Sequence, residues 1–155
     1  MQQVVCLLID DDSEESEIFQ YALEELKLPI DCHLATSGRQ ALDLLKNGRI
    51  RPDFIFLDLN MPRMDGKECL KEIKKMDNAS QTNVILYSTF FHDEQIKALE
   101  ALGADGFITK TTSIFELNAE LSRVFQTQSV NGEEVKENAG YLTTFDVPNL
   151  GLAAN

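Results

Sequence analysis

Apolar positions along this chain alternate between two periodicities. VVCLLI (4–9) is a continuous apolar run of strand length, the pattern of a strand covered on both faces. FIFLDL (54–59) and VILYS (84–88) predict two more strands; Ile30, Cys32 and Leu34 alternate with polar residues as a further one, and GFITK (106–110) is a short last strand. Helical spacing fills the intervals. A helix over 13–27 starts from Asp12 or Ser13 as cap, carries Ile18, Ala22 and Leu26 on one stripe and Glu14, Glu15 and Glu17 in its first turns, and stops at Pro29. Ser37-Gly38 opens a helix with Ala41, Leu42, Leu44 and Leu45, which Asn47-Gly48 ends. Further helices are predicted over 66–77 (Cys69, Leu70, Ile73, Met76), 93–102 (Ile96, Leu99, Leu102) and 112–125 (Ile114, Leu117, Leu121, Val124).

Five strand–helix units with short links predict an α/β fold: a parallel sheet wound on both faces by helices, because parallel neighbours need right-handed crossovers. Such sheets hold ligands beyond the carboxyl ends of their strands, near the switch in strand order.

Composition narrows the classes. The 155 residues are enough for one domain with a real core. Net charge is -12, from 14 basic and 26 acidic residues, which argues against nucleic acid as a direct partner. Cys6, Cys32 and Cys69 show neither the spacing of a zinc site nor that of a disulfide framework. No apolar run approaches membrane-spanning length and the N-terminus lacks a basic signal-peptide region, so a cytoplasmic location is expected.

Residues at the strand ends carry the candidate chemistry. The first strand runs into Asp10-Asp11-Asp12, the third reaches Asp58, the fourth ends in Ser88-Thr89 and the fifth in Lys110. Like charges ~4 Å apart repel by about 4 kcal/mol at an effective dielectric near 20, so such a crowd must face open water or hold a cation. Oxygen-rich clusters suit hard divalent cations, and Mg²⁺ in particular takes a few carboxylates together with a phosphate oxygen. An aspartate nucleophile with Mg²⁺ and a lysine beside it is the arrangement that aspartyl-phosphate chemistry requires. Singly, Asp12 fits a helix cap, Ser88 and Thr89 ordinary strand-end hydroxyls and Lys110 a surface lysine. Asp58 is harder to dismiss, since it caps no helix and is costly to bury alone.

LLIDDD, FIFLDLNMPRMDG, VILYST and GADGFITK resemble, in order and spacing, the motifs of the receiver domain of two-component response regulators. The resemblance covers about residues 3–126 and implies a flavodoxin-like (βα)5 sheet of order 2-1-3-4-5, with a receiver domain over 1–126. It implies that Asp58 accepts a phosphoryl group from a histidine kinase or a histidine phosphotransfer protein, with no catalysis beyond the chain's own phosphorylation and dephosphorylation. Asp11 is implied as a direct Mg²⁺ ligand, Asp10 as one acting largely through water, Asp58 as a third and Asn60 as a ligand through its backbone carbonyl. Ser88 matches the switch hydroxyl, Phe107 the aromatic that turns inward with it, and Lys110 the phosphoryl-binding lysine. Partner affinity is expected to change on the fourth helix, fifth strand and fifth helix (90–125), toward a downstream protein whose identity is open; pairing with a second copy is also allowed.

Three features depart from the family pattern. Lys110 is followed by Thr111 rather than proline, Thr89 stands where a small residue is usual, and Phe90-Phe91 put two aromatics beside the site mouth. Residues 127–155 are expected to be a tail without an output domain, disordered over 127–140, with YLTTFDV as a short strand or docking segment in a minority reading. Rival readings are a phosphorylation-independent interaction module on the same fold, and a dehalogenase-like phosphatase. The latter needs a second aspartate two residues after the nucleophile, where this chain has Asn60.

Overall fold

A computed structural model describes residues 2–130, with the backbone alone over 127–130. In chain order the elements are β1 (Val4–Ile9), α1 (Ser13–Glu24), β2 (Ile30–Ala35), α2 (Gly38–Lys46), β3 (Phe54–Asp58), α3 (Gly66–Lys75), β4 (Asn83–Ser88), α4 (Asp93–Ala101), β5 (Gly106–Thr109) and α5 (Ile114–Val130). The five strands form one sheet of order β2-β1-β3-β4-β5, each neighbouring pair parallel.

The continuous apolar runs divide between two cores by the two-residue period of a strand. Leu7, Ile9, Ile55, Leu57, Val84, Leu86 and Phe107 face one side, where Leu42, Leu45, Leu70, Ile73 and Leu99 of α2, α3 and α4 cover them. Cys6, Leu8, Phe54, Phe56, Ile85, Tyr87 and Ile108 face the other, under Phe19, Leu23, Leu117 and Leu121 of α1 and α5. Cys6 and Cys32 are register partners on β1 and β2. Burial pushes both thiols up, that of Cys32 to about 12, which keeps them unreactive small apolar residues.

Helix ends follow local capping, with some departures from the sequence pattern. Asp12 caps α1, its Oδ1 accepting from the backbone N–H groups of Glu14 and Glu15. The buried face of α1 is Ser16, Phe19, Ala22 and Leu23, while Ile18 and Leu26 flank it half-buried. Phe19 decides that rotation, because its ring meets Phe56 at 5.0 Å and Tyr87 at 5.5 Å. The helix stops at Glu24 rather than residue 27, and the turn closes with Lys27 at a φ of 56°. α5 starts at Ile114 rather than 112, since Ser113 Oγ accepts from the Glu116 N–H. It continues to Val130, past the boundary drawn at 126; the expected disorder beyond that residue and the YLTTFDV segment lie outside the described residues.

Candidate functional site

Backbone bonds that run past the strand ends fix the site. Asp10 N–H donates to Ala35 O at 3.0 Å, Leu59 N–H to Tyr87 O at 3.3 Å, and Lys110 N–H to Ser88 O at 2.7 Å. The rim of the sheet therefore carries Asp10, Asp58, Ser88 and Lys110 at set heights on four strands. Gly66 closes the β3–α3 loop behind Asp58: its N–H donates to Leu59 O at 2.9 Å, and a Cβ there would meet Asp58 O at 2.5 Å. Only glycine fits that approach.

Lys110 joins the carboxylates. Its side chain is 9% exposed, and its Nζ lies 3.2 Å from Asp58 Oδ1, 3.3 Å from Asp10 Oδ2 and 2.6 Å from Glu15 Oε1. The peptide bond to Thr111 is trans, so the lysine reaches the site without the proline geometry of the family pattern. Asp58 Oδ1 also accepts from Asn60 N–H at 3.2 Å, and Asp10 Oδ1 from Asp12 N–H at 2.9 Å. Asp10 Oδ2 is buried and pairs with Lys110 by charge alone, with no hydrogen bond aligned on it.

Burial raises the Asp10 and Asp58 carboxyls above their ordinary range; the charge of Asp58 adds to the rise at Asp10, and Lys110 opposes it at both. Burial also works against the Lys110 ammonium, but the bond it donates to Glu15 and the charges of Asp58 and Asp10 outweigh it and raise that group as well. The origins differ: burial drives the rise at the two carboxyls, whereas the carboxylate partners drive it at Lys110.

The other anticipated residues fall as follows. Asp11 is exposed and lines an open cavity of about 340 Å³ together with Glu15, Asp58, Asn60, Thr89 and Lys110. Asp11, Asp58 and Lys110 thus share one cavity. Among the described residues, Asp10, Glu15 and Asp58 bring carboxylate oxygens within 4.8 Å of one another, without Asp11. Ser88 is buried, donates to Phe90 O at 3.2 Å and accepts from Asn60 Nδ2 at 3.3 Å. Phe107 is buried with its ring 5.3 Å from that of Phe91. Of the aromatic pair, Phe91 packs inside, whereas Phe90 is 62% exposed beside the ring of His92. Thr89 is exposed at the cavity wall.

Glu15 escaped sequence reasoning. It stands among three glutamates in the first turns of α1, all equally explained by the helix dipole. The available signal was its position one turn past the Asp12 cap, on the helix whose N-terminus faces the strand ends.

The donor set fits a hard divalent cation. It is all oxygen, it carries surplus negative charge, and Asp10 Oδ2 is a buried acceptor with no hydrogen bond. A larger cavity of about 440 Å³ lies between the β3–α3 loop and α4, walled by Asp65, Lys67, His92 and Glu94, and lacks the buried carboxylates.

Comparisons with known proteins give the family and the fold. Residues 6–122 match the response regulator receiver domain family. The chain is 34% identical over 131 residues to the regulatory protein AtoC of Escherichia coli strain K12, a match covering 82% of this chain and 26% of AtoC. It is 27% identical over 118 residues to the response regulator Rcp1 of Synechocystis sp., covering 73% of this chain and 80% of Rcp1. Among solved structures, the phosphorylated cyanobacterial phytochrome response regulator RcpA aligns with a TM-score of 0.75 at 26% identity, over 84% of this chain and 97% of that one. The Mn²⁺-bound form of Rcp1 aligns with a TM-score of 0.71, also at 26% identity, over 83% and 97%.

Proposed function

This chain belongs to the response regulator receiver domain family, and from that premise we propose that it accepts a phosphoryl group on Asp58 in a Mg²⁺-dependent reaction. The observation that carries the proposal is the Lys110 ammonium, 3.2 Å from the Asp58 carboxylate and 3.3 Å from that of Asp10. No packing role calls for this arrangement.

In the proposed transfer, an Asp58 carboxylate oxygen forms a bond to phosphorus. The P–N bond to the partner's histidine breaks, and its electron pair stays on the imidazole, which takes up a proton from solvent. The donor is a histidine kinase or a histidine phosphotransfer protein. Lys110 offers donors to the phosphoryl oxygens as charge builds there. Asp10, Asp11, Asp58 and the backbone carbonyl of Asn60 would hold Mg²⁺, which offsets negative charge on the carboxylates and the phosphoryl oxygens. The phosphorylated state of RcpA and the Mn²⁺-bound state of Rcp1 support this reading.

Ser88 carries the proposed switch. Its hydroxyl donates to Phe90 O; a phosphoryl oxygen on Asp58 is the stronger acceptor, because it is charged. When the hydroxyl changes partner, the Phe90 carbonyl loses its donor and the 89–92 segment is freed to move. That segment leads into α4 at the His92 cap, so the change reaches the α4–β5–α5 face and alters binding of a downstream protein. Phe107, its ring 5.3 Å from that of Phe91, is the aromatic that would turn together with the Ser88 hydroxyl.

A net charge of -12 disfavours nucleic acid as partner, and three free thiols suit the reducing cytoplasm. Among the described residues no helix is long and apolar enough to cross a membrane. The test is incubation with a small acyl phosphate donor and Mg²⁺, read by intact mass. The wild-type chain should gain one phosphoryl group and Asp58→Asn none; equal labelling of both proteins contradicts the assignment.

A further inference from the structure

We infer that Glu15 is the positioning residue for Lys110: its carboxylate, reaching in from α1, holds the ammonium where a phosphoryl group on Asp58 would meet it. The inference rests on the phosphoacceptor reading above and adds a helix residue to a site otherwise built from strand ends.

Lys110 is fixed at its backbone by the 2.7 Å bond to Ser88 O, but a flexible four-carbon stem separates that anchor from Nζ. The following residue gives no help. Thr111 is committed to the start of α5, donating from Oγ1 to Glu116 at 2.8 Å and accepting from the Ser113 N–H at 3.1 Å. The Tyr87 ring, 5.1 Å from Nζ, provides a floor without directing the donors.

Three carboxylates surround the ammonium, and they are not equivalent. Glu15 is nearest at 2.6 Å and is the one of the three whose contact is aligned as a hydrogen bond. Asp10 and Asp58 sit at 3.3 Å and 3.2 Å as ion pairs. Phosphorylation consumes the free carboxylate of Asp58, and a cation in the site would claim Asp10. Glu15 is the partner that the chemistry leaves unchanged. Its own main chain is held by the 3.1 Å bond to the Asp12 cap, and at 34% exposure its side chain loses less hydration than the buried pair. An ammonium has three donors, so the bond to Glu15 leaves two for phosphoryl oxygens.

The test compares the full wild-type chain with Glu15→Ala and Glu15→Gln. Titration calorimetry measures Mg²⁺ alone, and then beryllofluoride, a phosphoryl mimic, at saturating Mg²⁺. Glu15→Ala should weaken beryllofluoride binding by about tenfold, the loss of one charge-assisted hydrogen bond relayed through Lys110. Glu15→Gln, whose amide oxygen still accepts from Lys110, should recover most of that loss. Although the Glu15 carboxylate lies within 4.8 Å of those of Asp10 and Asp58, it is already hydrogen-bonded to Lys110, so Mg²⁺ affinity should change by less than about threefold. Equal beryllofluoride affinity in all three proteins overturns the inference, as does tighter binding by Glu15→Ala, which would make Glu15 a competitor for Lys110. An equal loss of Mg²⁺ affinity overturns it too, by making Glu15 a metal ligand. A wild-type chain that binds Mg²⁺ but no beryllofluoride overturns the phosphoacceptor reading itself, a separate result.

Discussion

Lys110 Nζ and Asp58 Oδ1 stand 3.2 Å apart although their strands, β5 and β3, are not neighbours, β4 lying between them. The lysine crosses over the end of β4 to reach the carboxylate. Its reach joins one edge of the sheet to its centre and makes the site sensitive to charge on either side.

Removing a charge from this cluster should stabilise the fold. Asp10 and Asp58 have carboxyls raised above 3.8, chiefly by burial, so the folded chain binds protons more tightly than the unfolded chain. Their ionised forms therefore cost stability at neutral pH. That cost fades as pH falls through the folded values toward 3.8, where both states become protonated. Asp58→Asn should raise the Tm by a few degrees at neutral pH, with a smaller gain near pH ~4. Thermal unfolding followed by circular dichroism at both pH values reads the difference, and a loss of Tm at neutral pH refutes it.

Magnesium should relieve the same repulsion. A ligand that binds only the folded state adds about 2.7 kcal/mol at a hundred times its Kd. Mg²⁺ should accordingly raise the wild-type Tm, and Asp10→Ala, which removes the buried acceptor Oδ2, should lose most of the rise. An equal rise in both proteins would place the cation elsewhere.

Gly66→Ala tests the loop behind the acceptor. Its new Cβ would press on Asp58 O at 2.5 Å and Leu59 Cα at 2.7 Å, both backbone atoms that cannot yield cheaply. Destabilisation of about 1–3 kcal/mol is expected, together with slower phosphoryl labelling because Asp58 is displaced. Denaturant unfolding and the labelling rate should move together.

Asp105 supplies a control remote from the chemistry. Its Oδ2 accepts from the Val84 N–H at 2.8 Å and from Lys74 Nζ at 3.1 Å, tying α3 and β4 to the entrance of β5. Asp105→Ala leaves a strand-end N–H without its acceptor, at a cost of about 1–3 kcal/mol. Chemical denaturation should show that loss, while the extent of Asp58 labelling under native conditions stays as in the wild type.

Ser88→Ala separates labelling from switching. The hydroxyl touches Phe90 O and Asn60 Nδ2 rather than Asp58, so phosphoryl transfer should continue. Hydrogen exchange of residues 89–101 should lose its response to beryllofluoride. A full response in the variant would assign the switch to another group.

The gathering of the strand-end residues was legible in the sequence because a parallel sheet brings every carboxyl end to one rim. Once VVCLLI, FIFLDL, VILYS and GFITK were read as strands, the meeting of Asp10, Asp58 and Lys110 followed from topology, with Ser88 on the same rim. The helices were less transparent. Ile18, Ala22 and Leu26 are as well spaced as Phe19, Ala22 and Leu23, and only the fit of the Phe19 ring against Phe56 and Tyr87 chooses between the stripes. The same rotation selects Glu15, out of the three glutamates in the first turns, to face Lys110. Thr111 posed a different problem: its effect on the lysine depends on where the side chain finds partners, and Glu15 is invisible to a reading confined to strand ends.

The central claim is that Asp58 is the phosphoacceptor, and locating the label tests it most directly. The wild-type chain should be phosphorylated with a small acyl phosphate and Mg²⁺, trapped by borohydride reduction of the acyl phosphate, and digested for peptide sequencing by mass spectrometry. The account predicts that the reduced residue is Asp58, in the FIFLDLNMPR segment, and that no trapped product forms when Mg²⁺ is chelated. A trapped residue anywhere else, or the same yield from Asp58→Asn, would contradict it.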